Sequence, residues 1–211
     1  MRMEHSPGTW TLSIRWRMVP GVKKARARRK VADKLGPERW VRAGFDALVR
    51  GGVEAVRVEP LAVDLGVTKG SFYWHFVDRG DLLRQMLARW EAGGTHQIIE
   101  RLRGSGAPAR EQLTLLMAIC QEHANGSIEG AVRAWGATSP EAGEVVARVD
   151  RAREGFVEGL LREMGLSADS ARHRTRALYL ALLGEFARTA SGAELTSPVV
   201  WEELLTLLTS R

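Results

Sequence analysis

Apolar residues recur along this chain at the three-to-four spacing of helices. From Pro37 onward no stretch alternates apolar and polar positions as a half-buried strand does. Trp40, Val41, Phe45, Leu48 and Val49 share one face of a first helix, which Pro37 suits at its start and Gly51-Gly52 stops. Val58 to Leu65 reads as a short second helix, with Pro60 tolerated in its first turn and Gly66 ending it. Thr68 is a good N-cap for a third helix from Lys69 to about His75. Asp78 caps a fourth, with Asp81 favoured in its first turn by the helix dipole. Leu82, Leu83, Met86, Leu87 and Trp90 give that helix an apolar face, and it runs past Ile98-Ile99 to Leu102 with a kink expected at Gly93-Gly94. After the break at 104–108, helices are expected at about 109–124, 128–137, 140–164, 168–190 and 198–209, three of them opened by Ser139-Pro140, Ser167 and Ser197-Pro198. The predicted fold is all-α: a helix-turn-helix domain over 37–82, a long connecting helix, and a helical regulatory and dimerisation domain over 83–211.

Charge adds a third region. Residues 1–36 carry ten Lys or Arg against two acids, Glu4 and Asp33, while the whole chain is only +6. A basic arm on a near-neutral body suggests an anionic partner, most simply nucleic acid. The run Lys23–Lys30 reads either as a solvated tail or as an arm along DNA phosphates or a minor groove, and it lacks the apolar face of a membrane-surface helix. Organised sequence begins only after Met18. That raises a natural start there, with residues 1–17 an over-extended reading frame, which the intact mass of the native protein tests. No apolar run has the length of a membrane span, so the expected location is cytoplasmic.

The chemistry-bearing candidates outside the third helix are few. Cys120 is the chain's single cysteine, so it has no partner for an internal disulfide. His5, His75, His96, His123 and His173 stand in no metal-ligand spacing, and Ser105 and Ser191 lack the context of a nucleophile. No catalytic constellation, metal site or cofactor motif is found, and an enzyme is not expected.

Residues 58–76 read VEPLAVDLGVTKGSFYWHF. Leu61, Ala62 and Leu65 give one helix a buried face, Val67 plugs the turn, and Phe72 and Phe76 anchor the next helix at i and i+4. Four large rings and an imidazole in five residues cannot all face inward on one helix. Thr68, Lys69, Ser71, Tyr73, Trp74 and His75 are therefore left as a polar and aromatic outer face, which is a helix-turn-helix pattern.

With DRGDLL after it, this segment resembles the DNA-binding domain of the tetracycline-repressor (TetR) family, over about Pro37–Leu87. The resemblance implies that the third helix enters a major groove of a double-stranded operator. Lys69 and Ser71 would then face bases or nearby phosphates, Tyr73 and His75 the backbone, and Trp74 the DNA surface. Arg57 stands where the family commonly has Ser or Thr on a phosphate, and Arg79 stands where it often has Lys. The resemblance also implies a homodimer, a ligand pocket for a hydrophobic small effector, and a repressor that the ligand releases. On that reading the pocket candidates are Met117, Cys120, Trp135, Phe156 and Tyr179, each of which also reads as plain core. The dimer seam would use Leu178, Leu182 and Phe186 of one helix and Val200, Leu204, Leu205 and Leu208 of the last. The competing reading is a helical interaction module that binds DNA only non-specifically through its basic arm.

Overall fold

Residues 36–122 and 127–210 are described by the computed structural model, and among them every regular element is helical. The basic run at 23–30, the question of Met18, and His5 and His123 fall outside the described residues. Helix α1 (Pro37–Gly51) starts on its proline and ends where Gly52 turns to φ 69°. Its buried face is Trp40, Val41, Ala43, Gly44, Ala47 and Leu48. Val49, expected on that face, is exposed, because it lies about 100° around the helix from Leu48. Gly44 is where α1 meets the fourth helix: a Cβ there would sit 2.6 Å from the Met86 sulfur.

A 3₁₀ turn (Val53–Ala55) leads to α2 (Val58–Leu65), which Gly66 closes in the left-handed conformation at φ 67°. Helix α3 (Lys69–Phe72) is shorter than its sequence suggests. Tyr73–His75 form a turn held by the His75 and Phe76 amides on the Phe72 carbonyl, at 2.9 and 3.0 Å. The chain has to leave the helix here, because Asp78 five residues on must be extended to cap α4 (Arg79–Glu91). That cap is reciprocal: Asp78 accepts from the Asp81 amide at 2.7 Å, and Asp81 accepts from the Val77 amide at 3.1 Å.

The kink expected at Gly93-Gly94 is a π turn (Ala92–His96) that joins α4 to α5 (Gln97–Gly104) without a break. The rest follows the expected order: α6 (Ala109–Glu122), α7 (Ser127–Gly136), α8 (Pro140–Glu163), α9 (Ala168–Ala190) and α10 (Pro198–Thr209). Ser139 and Ser167 cap α8 and α9 with their side chains, as the sequence suggests, whereas Ser197 makes no such bond.

Two apolar cores result. One joins α1–α4 to Val132 and Trp135 of α7 and to Ala142 and Val149 of α8, so the helix-turn-helix unit is packed directly on the body. The other joins Leu102, Met117, Phe156 and Leu160 to Leu178, Leu182, Phe186 and Trp201. Each fully buried Leu or Phe contributes about 1.5–3 kcal/mol, so both units hold their shape by ordinary apolar burial.

Candidate nucleic-acid interface

The geometry of α3 begins with its buried ring. Phe72 is 0% exposed, edge-on to Trp40 at 5.2 Å and stacked on Phe76 at 5.0 Å. Those contacts fix the direction of the helix on α1. Tyr73 and Trp74, the next two residues, are then forced outward at 54% and 84% exposure. The inward roles expected for Phe72 and Phe76 and the outward roles of Tyr73 and Trp74 follow from one register. His75 is half-buried, its ring 6.3 Å from that of Phe76.

Thr68 occupies the N-cap position in extended conformation, but its side chain makes no cap bond. It is exposed, and Ser71 is half-buried. Lys69 reaches back to α2 and pairs with Glu59. The ammonium is held above its usual range, first by its hydrogen bond to Glu59 and then by that residue's charge. The Glu59 carboxyl is held correspondingly low, by the bond from Lys69 above all. Val63 and Val77 are also exposed, at 79% and 82%, so the outer surface of the unit is partly apolar. The sequence reading missed Glu59, although its carboxylate ten residues before Lys69 was visible there.

Arg57 precedes α2 and is exposed, with no salt bridge among the described residues. Arg79 is differently placed. Its guanidinium donates to the Val56 carbonyl at 2.6 Å and to the Val53 carbonyl at 2.5 Å, with Glu54 at 3.9 Å. It fastens the turn before α2 onto the start of α4, and so positions Arg57 and α2. Residues 37–82 carry six Lys or Arg and seven Asp or Glu, so the unit itself has no cationic excess.

The five pocket candidates do not line one space. Met117, Cys120 and Phe156 belong to the second core, and burial pushes the Cys120 thiol up to about 11. Trp135 belongs to the first core. The Tyr179 hydroxyl lies in a polar cluster between the two. It donates to Asp150 at 2.7 Å, while Arg133 donates to it at 3.0 Å and to Asp150 at 2.7 Å. In the same cluster Arg153 bonds Glu129 at 2.7 Å, the Thr95 hydroxyl at 3.0 Å and the Gly94 carbonyl at 3.2 Å. The Trp90 indole donates to Glu129 at 3.0 Å. Burial alone would raise the Glu129 carboxyl, but the adjacent Arg153 and Arg133 charges outweigh it and hold the group low. This cluster ties the π turn to α7, α8 and α9. Apart from the Glu129–Arg133 pair four residues apart, its bonded partners are separated by 17 to 59 residues, so no sequence spacing announced it.

Of the seam candidates, Leu178, Leu182 and Phe186 are buried in the chain's own second core, and Leu204, Leu205 and Leu208 pack against its edge. Val200 is exposed, and so are Leu180, Val199 and Leu207.

Residues 41–86 match the family model described as bacterial regulatory proteins, tetR family. Compared with curated proteins, the sequence finds no match. Among solved structures the chain is similar to the crystal structure of a transcriptional regulator from Rhodococcus sp. Rha1. The TM-score is 0.56 and the identity 20%, over 83% of this chain and 92% of that one. At that identity the likeness is one of fold.

Proposed function

We propose that the chain, whose residues 41–86 match the tetR family of bacterial regulatory proteins, is a DNA-binding transcriptional regulator of that family: a cytoplasmic repressor that binds a palindromic operator as a homodimer and leaves it when a small ligand binds. The observation that carries DNA recognition is the register of α3: a fully buried Phe72 beside outward Tyr73 and Trp74. Lys69, Ser71, Thr68 and His75 lie on the same short segment, within reach of base edges or phosphates in a major groove. Arg57 serves a phosphate next to it, and Arg79 acts by holding the turn before α2. Because residues 37–82 have no cationic excess, the sequence-independent part of the affinity falls to the basic residues at 1–36.

A recognition segment this short supports repetition by a two-fold axis. Leu180 with the small residues Ala177, Gly184 and Ala187 makes an exposed stripe on α9, and Val199, Val200 and Leu207 are exposed on α10. That stripe is the dimer seam of this proposal, in place of the inward Leu178, Leu182 and Phe186. Ligand control would run through the Arg153 cluster, since it connects the regulatory helices to the π turn above α4. A ligand can shift the spacing of two recognition segments only through different contacts in the two states.

Selection of bound sequences from random duplex DNA by the full chain tests the proposal. The expected result is a palindrome with half-sites about one helical turn, roughly 34 Å, apart. Recovery of DNA with no sequence preference, and only salt-sensitive binding, would favour the non-specific interaction module instead.

A further inference from the structure

The segment from α3 to the start of α4 has few free polar groups with which to read a base edge. Lys69 is paired with Glu59, Gly70 has no side chain, and Ser71 and His75 are half-buried. Its most exposed side chains are instead apolar: Trp74 at 84% and Val77, three residues on, at 82%. Neither belongs to either apolar core. Exposed apolar groups set together mark a surface that sheds its water on binding. The backbone that carries Trp74 is held in place beforehand, because the His75 and Phe76 amides both donate to the carbonyl of the buried Phe72, at 2.9 and 3.0 Å. A ring presented in this way loses little freedom when it meets a partner.

We propose that Trp74 is a specificity-determining residue of the regulator, and that it selects a thymine in each half-site by covering that base's C5-methyl group. In the major groove guanine shows two acceptors, adenine an acceptor and a donor, and cytosine a donor. The carbon face of an indole laid over any of these removes water and returns no hydrogen bond, which is costly. Thymine differs by its methyl group, the one apolar feature among the base edges of that groove. Covering the methyl gains apolar burial. The same ring therefore rewards thymine and penalises its competitors. This inference rests on the DNA-binding reading above and adds to it the base that the segment prefers.

The test uses the full chain and the duplex that selection from random DNA returns, synthesised with thymidine and with deoxyuridine placed at one thymine position at a time. Deoxyuridine keeps every hydrogen-bonding atom of thymidine and lacks only the methyl group. At one position in each half-site the affinity should fall about fourfold, and roughly 15-fold when both half-sites carry the change. Trp74→Ala alters an exposed side chain and should keep the wild-type thermal transition. It should bind the thymidine duplex more weakly, bind the deoxyuridine duplex no worse than the thymidine one, and leave the salt dependence as it was, since no phosphate contact is lost. Equal binding of the two duplexes by the wild type overturns the assignment, as does a methyl preference that survives in Trp74→Ala. A loss in Trp74→Ala that is as large on random-sequence DNA also overturns it, and puts the ring on the sugar-phosphate backbone. The selection itself is read separately. A palindrome without a methyl effect removes this role of Trp74 and leaves the regulator, whereas no sequence preference removes both.

Discussion

Phe72 and Tyr73 are neighbours with opposite roles, and replacing each by Ala separates them. Phe72 is 0% exposed and touches the rings of Trp40, Phe76 and Tyr73. Removing a ring so enclosed costs about 3–5 kcal/mol. For a chain of this size that lowers Tm by roughly 6–20 °C, at 2–4 °C for each kcal/mol. Tyr73 is 54% exposed, and its one ring contact is edge-on to Phe72 at 5.3 Å. Losing it costs at most about 1.5 kcal/mol of stability. On DNA the order reverses for folded protein. A phosphate hydrogen bond from Tyr73 worth about 1 kcal/mol is about fivefold in affinity for each half-site, and roughly 25-fold for a symmetric dimer. Thermal melts and operator titration at one fixed salt concentration read the two effects. Tyr73→Ala melting as low as Phe72→Ala would refute the register of α3. Tyr73→Ala with full operator affinity would refute its place on DNA.

Glu59→Gln frees Lys69 from its partner and removes a carboxylate from the side proposed to face DNA, so operator binding should tighten at low salt. That gain should fade toward 1 M salt, where screening shortens to about 3 Å; unchanged affinity at low salt would count against Lys69 on DNA. Glu129→Gln should cost about 3 kcal/mol at pH 7, because it leaves Arg153 and Arg133 short of a buried counter-charge. The wild-type carboxyl is held below its ordinary value near 4.5, so its contribution is present above that pH and is lost as the pH falls through the lower folded value. Denaturant melts from pH 7 down to 3 should therefore show the two proteins converging. Leu180→Glu places a charge on the exposed stripe of α9 without touching either core, and sedimentation at micromolar concentration should show a monomer with native helicity. A persisting dimer would move the seam elsewhere.

Much of this was legible in the sequence because it is local. Gly66 at a positive φ, the Asp78 cap and the Ser-opened starts of α8 and α9 are decided by a few adjacent residues. What was not legible depends on distant partners. Periodicity gave α9 an apolar face at Leu178, Leu182 and Phe186, but it does not say whether such a face meets the chain's own core or a second copy. Trp135 reads as any core ring until α7 is seen against α1. Arg79 reads as a surface cation until the Val53 and Val56 carbonyls are found beneath it. The third helix ends early because the cap of the next helix constrains its last turn, a conflict that helix propensity alone does not register.

The π turn at Ala92–His96 has a consequence for how such a molecule could diverge. A π turn is in effect one residue wound into an α-helix as a bulge, and each residue turns a helix by about 100°. Loss of a single residue at Gly93-Gly94 would restore an uninterrupted helix, and because the wide turn absorbs just that one residue, the helix after it would keep nearly its present heading, as would Leu82, Met86 and Trp90 before it. What a one-codon deletion there would disturb is the grip of Arg153, which holds the Thr95 hydroxyl and the Gly94 carbonyl of this turn. The link between this helix and α8 can therefore be loosened in a single step, with the path of the chain and the packing under the first core left in place.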